Sequence, residues 1–442
     1  MKKVGMVSLG CPKNTVDTEL ALGDLLKNGY ELTPNYEKAD ILIINTCGFI
    51  EASKKESIDA IFEMAQMKIN GSCSKLVVTG CLSQRYGEQL IHEIPEIDLL
   101  IGVENYTHLK TLLEKKPTNL HADRKPVLIP KYFESYVQRE LITPFYTTFL
   151  KIGEGCSFNC AFCYIPKIRG AFRSRTIDSI VEETHALTKK GVREFNLVSQ
   201  VTTLYGNDLG LKNGLVQLLR ELAKIKEVDW LRLLYCYPNL INDALLEYIR
   251  DEEKVCNYID VPLQHIDNEI LKLMKRQETE TIVRDMIKNC RSKIPDISLR
   301  TTFIVGFPGE TEEKFQKLTK FLGEVEFDHV GVFTYSDEEG TNAYDYSSKV
   351  PAEIAKQRKN ELMRLQKEIS FRKNQKRIGK TFPILVEGLE NESLLMTGRA
   401  PFQAPEIDGQ IIIEESNVLP GQIVPMRIER ALEYDLVAKT RN

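Results

Sequence analysis

Six of the ten cysteines in this 442-residue chain stand where thiols could do chemistry. The tightest set is Cys156-x3-Cys160-x2-Cys163, directly after Gly153-Glu154-Gly155. Three thiolates this close in sequence can wrap one metal centre without disturbing the flanking elements. A structural zinc site wants four protein ligands, and no His or fourth Cys lies nearby. An iron-sulfur cluster with one iron left open fits better, and an open iron can hold a reactant. A zinc knuckle completed from afar, or plain core cysteines, are the alternatives.

The second set is dispersed. Cys11 follows the apolar run Val4 to Leu9, Cys47 follows Ile41 to Asn45, and Cys81 follows Leu76 to Thr79. If these runs are parallel strands, the loops after them leave one edge of the sheet and the three thiols converge there. Gly10, Gly48 and Gly80 adjoin them and permit close backbone approach around a bulky cluster. The plainer alternative is three buried thiols of an α/β core.

The elements that must position these residues fall into three groups. Over residues 1–120, the runs above and Leu99 to Val103 alternate with the helical patterns Val16 to Lys27, Ser53 to Met67 and Arg85 to Glu93. This predicts an open α/β domain with a parallel sheet. Pro117, Pro126, Pro130 and Pro144 interrupt the next stretch, so 121–144 reads as a linker. Over 145–371, six strand candidates are each followed by a helical pattern: Thr148 to Ile152, Glu194 to Val198, Leu231 to Tyr235, Tyr258 to Leu263, Leu299 to Val305 and Val330 to Thr334. Six such units predict a partial (βα)6 barrel with Cys156 at the carboxyl end of its first strand, where such barrels build active sites. Pro351 to Lys380 reads as a strongly basic, mainly solvated connecting helix. Over 372–442, Phe382 to Glu387, Leu394 to Thr397, Gln410 to Ile413, Val424 to Ile428 and Tyr434 to Val437 predict a small five-stranded antiparallel β-barrel.

Composition narrows the function classes. Lys plus Arg is 59 against 63 Asp plus Glu, a net charge of -4, which argues against a phosphate-coating nucleic-acid binder. No apolar run approaches the ~18 to 20 residues that cross a bilayer, so no membrane partner is expected and cytoplasm is the expected compartment. Without a secretory signal, ten cysteines point to metal or redox chemistry rather than disulfides. Cys73, Cys236, Cys256 and Cys290 lack the placement of the other six and read as structural. His265 reads as a satisfied core-edge histidine. Gly306-Phe307-Pro308-Gly309-Glu310-Thr311 lacks the lysine of a phosphate loop and precedes a helix capped by Thr311. It is either a plain turn or the rim of a pocket.

With both cysteine sets and three domains in view, the chain resembles the radical S-adenosylmethionine methylthiotransferases over essentially its whole length. The middle resembles the radical barrel and the end a TRAM barrel. Ser8-Leu9-Gly10-Cys11-Pro12-Lys13-Asn14, Asn45-Thr46-Cys47-Gly48-Phe49-Ile50 and Ile165-Pro166-Lys167-Ile168-Arg169-Gly170 resemble the RimO-type branch, which modifies an aspartate of ribosomal protein twelve of the small subunit. The resemblance implies two 4Fe-4S clusters, one on Cys156, Cys160 and Cys163 and one on Cys11, Cys47 and Cys81. It implies S-adenosyl-L-methionine as radical source and methyl donor, and a one-electron reductant such as flavodoxin or ferredoxin. It places Phe162 by the adenine, with Gln200, Ile304 and Gly306 lining the cofactor pocket. Replacing a hydrogen on an unactivated carbon by sulfur offers no acidic proton to a base, which is consistent with radical abstraction.

Two other readings compete: the same chemistry on a tRNA adenosine, and a non-catalytic iron-sulfur carrier or scaffold. From Lys380 to Asn442 there are ten acidic and six basic residues. That balance argues against direct tRNA binding and leads us to expect an acidic barrel that attracts a basic ribosomal protein through Glu414 and Glu415.

Overall fold

The computed structural model describes residues 1–103, 106, 109–114, 133–389, 395–414 and 417–440. The first half of the expected linker, 121–132, lies outside them.

Strands β1 (Lys3–Ser8), β2 (Glu31–Leu32), β3 (Ile41–Thr46), β4 (Lys75–Gly80) and β5 (Leu99–Leu100) form a parallel sheet in the order β2-β1-β3-β4-β5. All six residues of β3 are buried, because helices cover both faces of such a sheet and leave no polar side. The helices are α1 (Pro12–Lys27), α2 (Glu51–Asn70), α3 (Cys81–Glu93) and α4 (Leu109–Glu114). The three cysteine-bearing strands are neighbours, and their ends are level: Ser8 pairs with Asn45, Asn45 with Thr79 and Thr46 with Gly80.

The middle of the chain holds six parallel strands in an open sheet: β6 (Thr147–Lys151), β9 (Glu194–Val198), β10 (Trp230–Leu233), β11 (Val255–Asp260), β12 (Ser298–Val305) and β13 (His329–Thr334). Their order is β13-β12-β11-β10-β9-β6, as the six-unit reading expects. Between β6 and β9 the sequence conceals a two-residue hairpin, β7 (Gly153–Glu154) with β8 (Arg173–Ser174), and the short helix α5 (Ile165–Arg169). Helices α6 (Ile177–Thr188), α7 (Gly214–Ala223), α8 (Asp243–Asp251), α9 (Asn268–Leu273), α10 (Glu280–Lys293) and α11 (Glu312–Val325) pack outside.

Helix α12 (Ala352–Gln375) bears on two expectations. It runs unbroken through the boundary placed at 371/372. It is also less solvated than its basic composition suggests. Leu362 and Ile369 are fully buried, Arg358 pairs with Glu310, and Lys373 and Arg377 pair with Asp328. The barrel's own carboxylates neutralise much of its charge.

The last unit is a closed barrel, β14-β15-β16-β18-β17, of β14 (Thr381–Leu389), β15 (Met396–Arg399), β16 (Ile411–Glu414), β17 (Ile423–Ala431) and β18 (Leu436–Thr440). It is not wholly antiparallel: β16 and β18 pair in parallel. This barrel seats on the amino-terminal ends of the central strands. Arg399 on β15 grips Glu194, the first residue of β9, at 2.6 Å, and Arg232 donates to the same carboxylate at 3.0 Å. Asp408 accepts from Tyr258 Oη at 2.7 Å and lies 3.4 Å from Arg300. The acidic residues are thus largely engaged. Glu387 pairs with Arg399 and Glu414 with Arg430 and Lys439, while Glu415 is outside the described residues. A free acidic docking face on Glu414 is not what the fold presents.

Candidate active site

The dispersed cysteines come from three differently built strand ends. Cys11 is the N-cap of α1, whose first residue Pro12 is preorganised for a helix start, and the Cys11 carbonyl accepts from Asn14 N and Thr15 N. Cys47 follows β3 and exchanges backbone bonds with Ser57 Oγ. Cys81 is itself the first residue of α3, not a loop residue, because β4 passes into the helix without a connection. Cys11 and Cys81 thus both stand at the amino-terminal end of a helix, where the backbone dipole presents its positive end.

Two glycines make the approach of these chain ends possible. Gly10 has φ +96°, and a Cβ there would lie 2.7 Å from Cys47 Cβ. Gly80 has φ +99°, and a Cβ would meet the Thr46 carbonyl at 2.4 Å. Asn14, fully buried, ties the ends together by donating to the carbonyls of Leu9 and Thr46, both at 3.0 Å. The thiols feel one another: burial pushes Cys81 up to about 12, Arg169 opposes that, and Cys11 and Cys47 add to it.

The local set is clasped by the hairpin. Gly155 (φ +81°) leaves no room for a side chain against the Ala171 carbonyl, and Cys156 N donates to Gly170 O at 3.0 Å. Cys163 N donates to Cys160 O at 3.1 Å. Burial raises all three thiols, and Arg276 beside Cys160 opposes the shift. Phe158 stacks on Tyr237 at 4.1 Å, on which Arg276 also rests.

Between the two sets lies a buried charge network spanning the domain seam. Arg169, at the end of α5, donates to Asp17 (3.0 Å), Glu154 (2.8 Å), Asn14 Oδ1 (2.6 Å) and Cys81 Sγ (3.4 Å). Lys151 binds the same two carboxylates. Burial would raise Glu154, but Arg169 and Lys151 outweigh it and hold the carboxyl below its ordinary range. Arg169 thus touches Cys81 while its neighbour Gly170 anchors Cys156, so one residue step joins the two cysteine sets.

The other expected residues separate into two places. Phe162 and Ile304 share an apolar cluster with Phe307, Phe162 meeting Phe307 edge-on at 6.5 Å. Gly306 (φ +76°) faces α12, where a Cβ would lie 2.4 Å from Ala355 Cβ, so packing alone accounts for it. Gln200 donates to Glu154 at 2.6 Å, and among the described residues its Oε1 is buried without a partner. The Oε1 of Gln264, held at φ +68° after β11, is likewise open. His265 is the core residue expected: Nδ1 accepts from Asp267 N, and Nε2 faces Glu310 at 3.3 Å. Cys73, Cys236, Cys256 and Cys290 are buried in the cores.

Among the described residues no three His, Cys, Asp or Glu side chains close on a single metal ion. The donor chemistry fits clusters of the larger iron-sulfur kind: two sets of three thiols, glycine backbone around one, and an arginine beside each. The unpartnered amide oxygens of Gln200 and Gln264 fit a cofactor bearing ammonium or hydroxyl donors.

Three family models match the chain: an uncharacterized protein family, UPF0004, over residues 3–102; the radical SAM superfamily over 150–322; and the TRAM domain over 378–440. The chain is 47% identical to the ribosomal protein uS12 methylthiotransferase RimO of Syntrophotalea carbinolica, covering 99% of this chain and 96% of that protein. It is 46% identical to those of Geobacter sulfurreducens and Desulforamulus reducens, again over 99% of this chain and 98% and 99% of theirs. The chain belongs to the ribosomal protein uS12 methylthiotransferase family. Its central fold is shared with the radical S-adenosylmethionine methyltransferase TsrM of Kitasatospora setae, with a TM-score of 0.57 and 15% identity over 76% of this chain and 75% of that one.

In this radical S-adenosylmethionine methylthiotransferase, sequence reasoning passed over Lys13, Glu154, Arg169 and Arg276 as site residues. Lys13 and Arg169 lie inside the family-like motifs and Glu154 inside the Gly-Glu-Gly turn, so position beside a cysteine was an available signal. Arg276 has none, because it reaches Cys160 from the far side of the barrel sequence.

Proposed function

We propose that this methylthiotransferase places a methylthio group on the β-carbon of an aspartate in small-subunit ribosomal protein twelve, uS12. The observation that carries this reading is the junction at α5, where Arg169 contacts Cys81 and Gly170 anchors Cys156. A group activated at one cysteine set is thereby adjacent to the other. Cys156, Cys160 and Cys163 would ligate one 4Fe-4S cluster and Cys11, Cys47 and Cys81 the second. When bound, the barrel cluster and S-adenosylmethionine supply a hydrogen-abstracting radical, and the second cluster and a further S-adenosylmethionine supply sulfur and methyl.

The chain's own residues do the positioning. Gln200 and Gln264 offer acceptors to the cofactor's polar groups, and Phe162 and Ile304 offer an apolar wall. Arg169 and Arg276 hold positive charge against Cys81 and Cys160. The Gly155–Gly170 clasp keeps the cysteine loop from opening to water. The working division is 1–120, a linker, a radical barrel and a TRAM unit beginning after α12. A flavodoxin or ferredoxin would deliver the electron, in the cytoplasm.

Mass spectrometry of uS12 and of tRNA from cells with and without this protein tests the target. Methylthiolated uS12 should appear only with the protein. Methylthiolated tRNA with unmodified uS12 would overturn the assignment.

A further inference from the structure

The charges buried at the domain seam do not balance. Lys151 and Arg169 are matched by Asp17 and Glu154, each of the four at most 1% exposed. A third cation, Lys13, is left over. It is 7% exposed, and its Nζ lies 3.2 Å from the centre of the Tyr235 ring. Among the described residues no carboxylate pairs with it; its charged surroundings are Tyr235, the Cys11 thiol and Arg169. Burying an ammonium-type charge without a counter-ion is unfavourable by several kcal/mol, so an anion is expected to complete the site.

The placement says where that anion comes from. Lys13 is in the first turn of α1, two residues after Cys11, and reaches across the seam. Tyr235 lies just past the carboxyl end of β10, at the mouth of the radical barrel, and takes φ +60°. A bulky residue is rarely left-handed, and this one is held there by its N–H donating to Asp260 and its carbonyl accepting from Thr202 N. The strained turn sets an aromatic face under the ammonium, which fixes the cation without neutralising it.

We infer that Lys13 receives the side-chain carboxylate of the target aspartate and so selects an acidic residue for modification. This rests on the proposed uS12 reading. The carboxylate is one bond from the β-carbon that reacts, so an aspartate whose β-carbon lies between the two cysteine sets brings its negative charge to this seam. Among the described residues Lys13 is the cation there that has no carboxylate of its own. The competing partner is the negative charge of a cluster on Cys11, Cys47 and Cys81.

The test is anaerobic equilibrium binding of the reconstituted full chain to a uS12 peptide spanning the target aspartate, and to the same peptide with asparagine there. Wild type should prefer aspartate by about tenfold or more, the scale of one charge-assisted contact. In Lys13→Gln the preference should fall to near unity, and in Lys13→Arg it should persist. Iron content is measured on each. Preference retained in Lys13→Gln would overturn the inference. Loss of about half the iron from Lys13→Gln would also overturn it, by assigning the ammonium to the cluster. A wild-type protein that binds both peptides alike would overturn the inference too, whereas one that binds neither peptide would instead refute the uS12 reading on which it rests.

Discussion

The two cysteine sets solve one problem by opposite means. Cys156, Cys160 and Cys163 are brought together by chain proximity, and a two-residue hairpin closes the loop around them. Cys11, Cys47 and Cys81 are brought together by a sheet: adjacent parallel strands end level, and Gly10 and Gly80 let their ends approach. A local set survives as long as its loop does. A set built from strand ends depends on the whole domain and on whatever holds that domain to its neighbour. Arg169 shares that hold with Lys151 on Asp17 and with Arg85 and Lys54 on Glu338, and it alone of these is seen to reach a thiol of the dispersed set among the described residues.

The largest expected difference between the sets is functional. Cys156→Ala, Cys160→Ala or Cys163→Ala should abolish reductive cleavage of S-adenosylmethionine, read as 5'-deoxyadenosine formed anaerobically. Cys47→Ala should keep part of that cleavage while losing sulfur insertion. Equal loss in both groups, with the fold intact, would end the division of labour. Next in size is metal content. The reconstituted protein should carry about eight irons, and joint replacement of Cys11, Cys47 and Cys81 by Ala about four; full retention in the triple variant would mean that the dispersed thiols hold no cluster.

Arg169→Met tests the dependence of the strand-end set on the seam. It strands Asp17 and Glu154 with only Lys151 between them, and breaking such a buried network costs about 3 to 5 kcal/mol. Denaturant unfolding should show that loss, and iron should leave the dispersed set before the barrel set. Simultaneous loss from both would show that the seam supports them alike. Arg169→Lys should not restore stability, because a lysine cannot span four acceptors.

The smallest effect lies at the other end of the barrel. Burial would raise Glu194, but Arg399 and Arg232 bring it down to about 2 from 4.5. A carboxyl depressed in the folded state stabilises above its unfolded value and loses that contribution as pH falls through the folded one. Glu194→Gln should therefore lower stability by about 3 kcal/mol at neutral pH. The gap from wild type should narrow between pH 4.5 and about 2. A gap independent of pH would show that packing, not charge, is what the substitution removes.

Much of this was legible in the sequence, for identifiable reasons. β3 differs by one residue from its reading because a strand buried on both faces appears as a continuous apolar run, and β9 spans Glu194 to Val198 as read although Glu194 and Asn196 interrupt its apolar residues. The local cysteines were visible through spacing and the dispersed ones through their place after each run. Partners distant along the chain were not legible. Arg169 meets Asp17 and Asn14 from another domain, and ion pairing across that separation follows no periodicity. The parallel pairing of β16 with β18 escaped because runs of strand residues do not state their neighbours. The acidic count of the last unit misled for a related reason, since composition does not distinguish a carboxylate facing water from one gripping Arg399 or Tyr258.

The seating of that last unit has a practical and a historical consequence. Arg399 and Asp408 reach from it into the open end of the central sheet, where Glu194, Arg232 and Tyr258 have no water to turn to and Arg300 has little. Cutting the chain after α12 would uncover those groups together, so a truncated enzyme that fails would be reporting a damaged catalytic scaffold and not a missing grip on the ribosomal protein. For the same reason this module is poorly suited to exchange between enzymes: its inner face is cut to one host, and lineages that inherit the barrel are expected to inherit its plug with it.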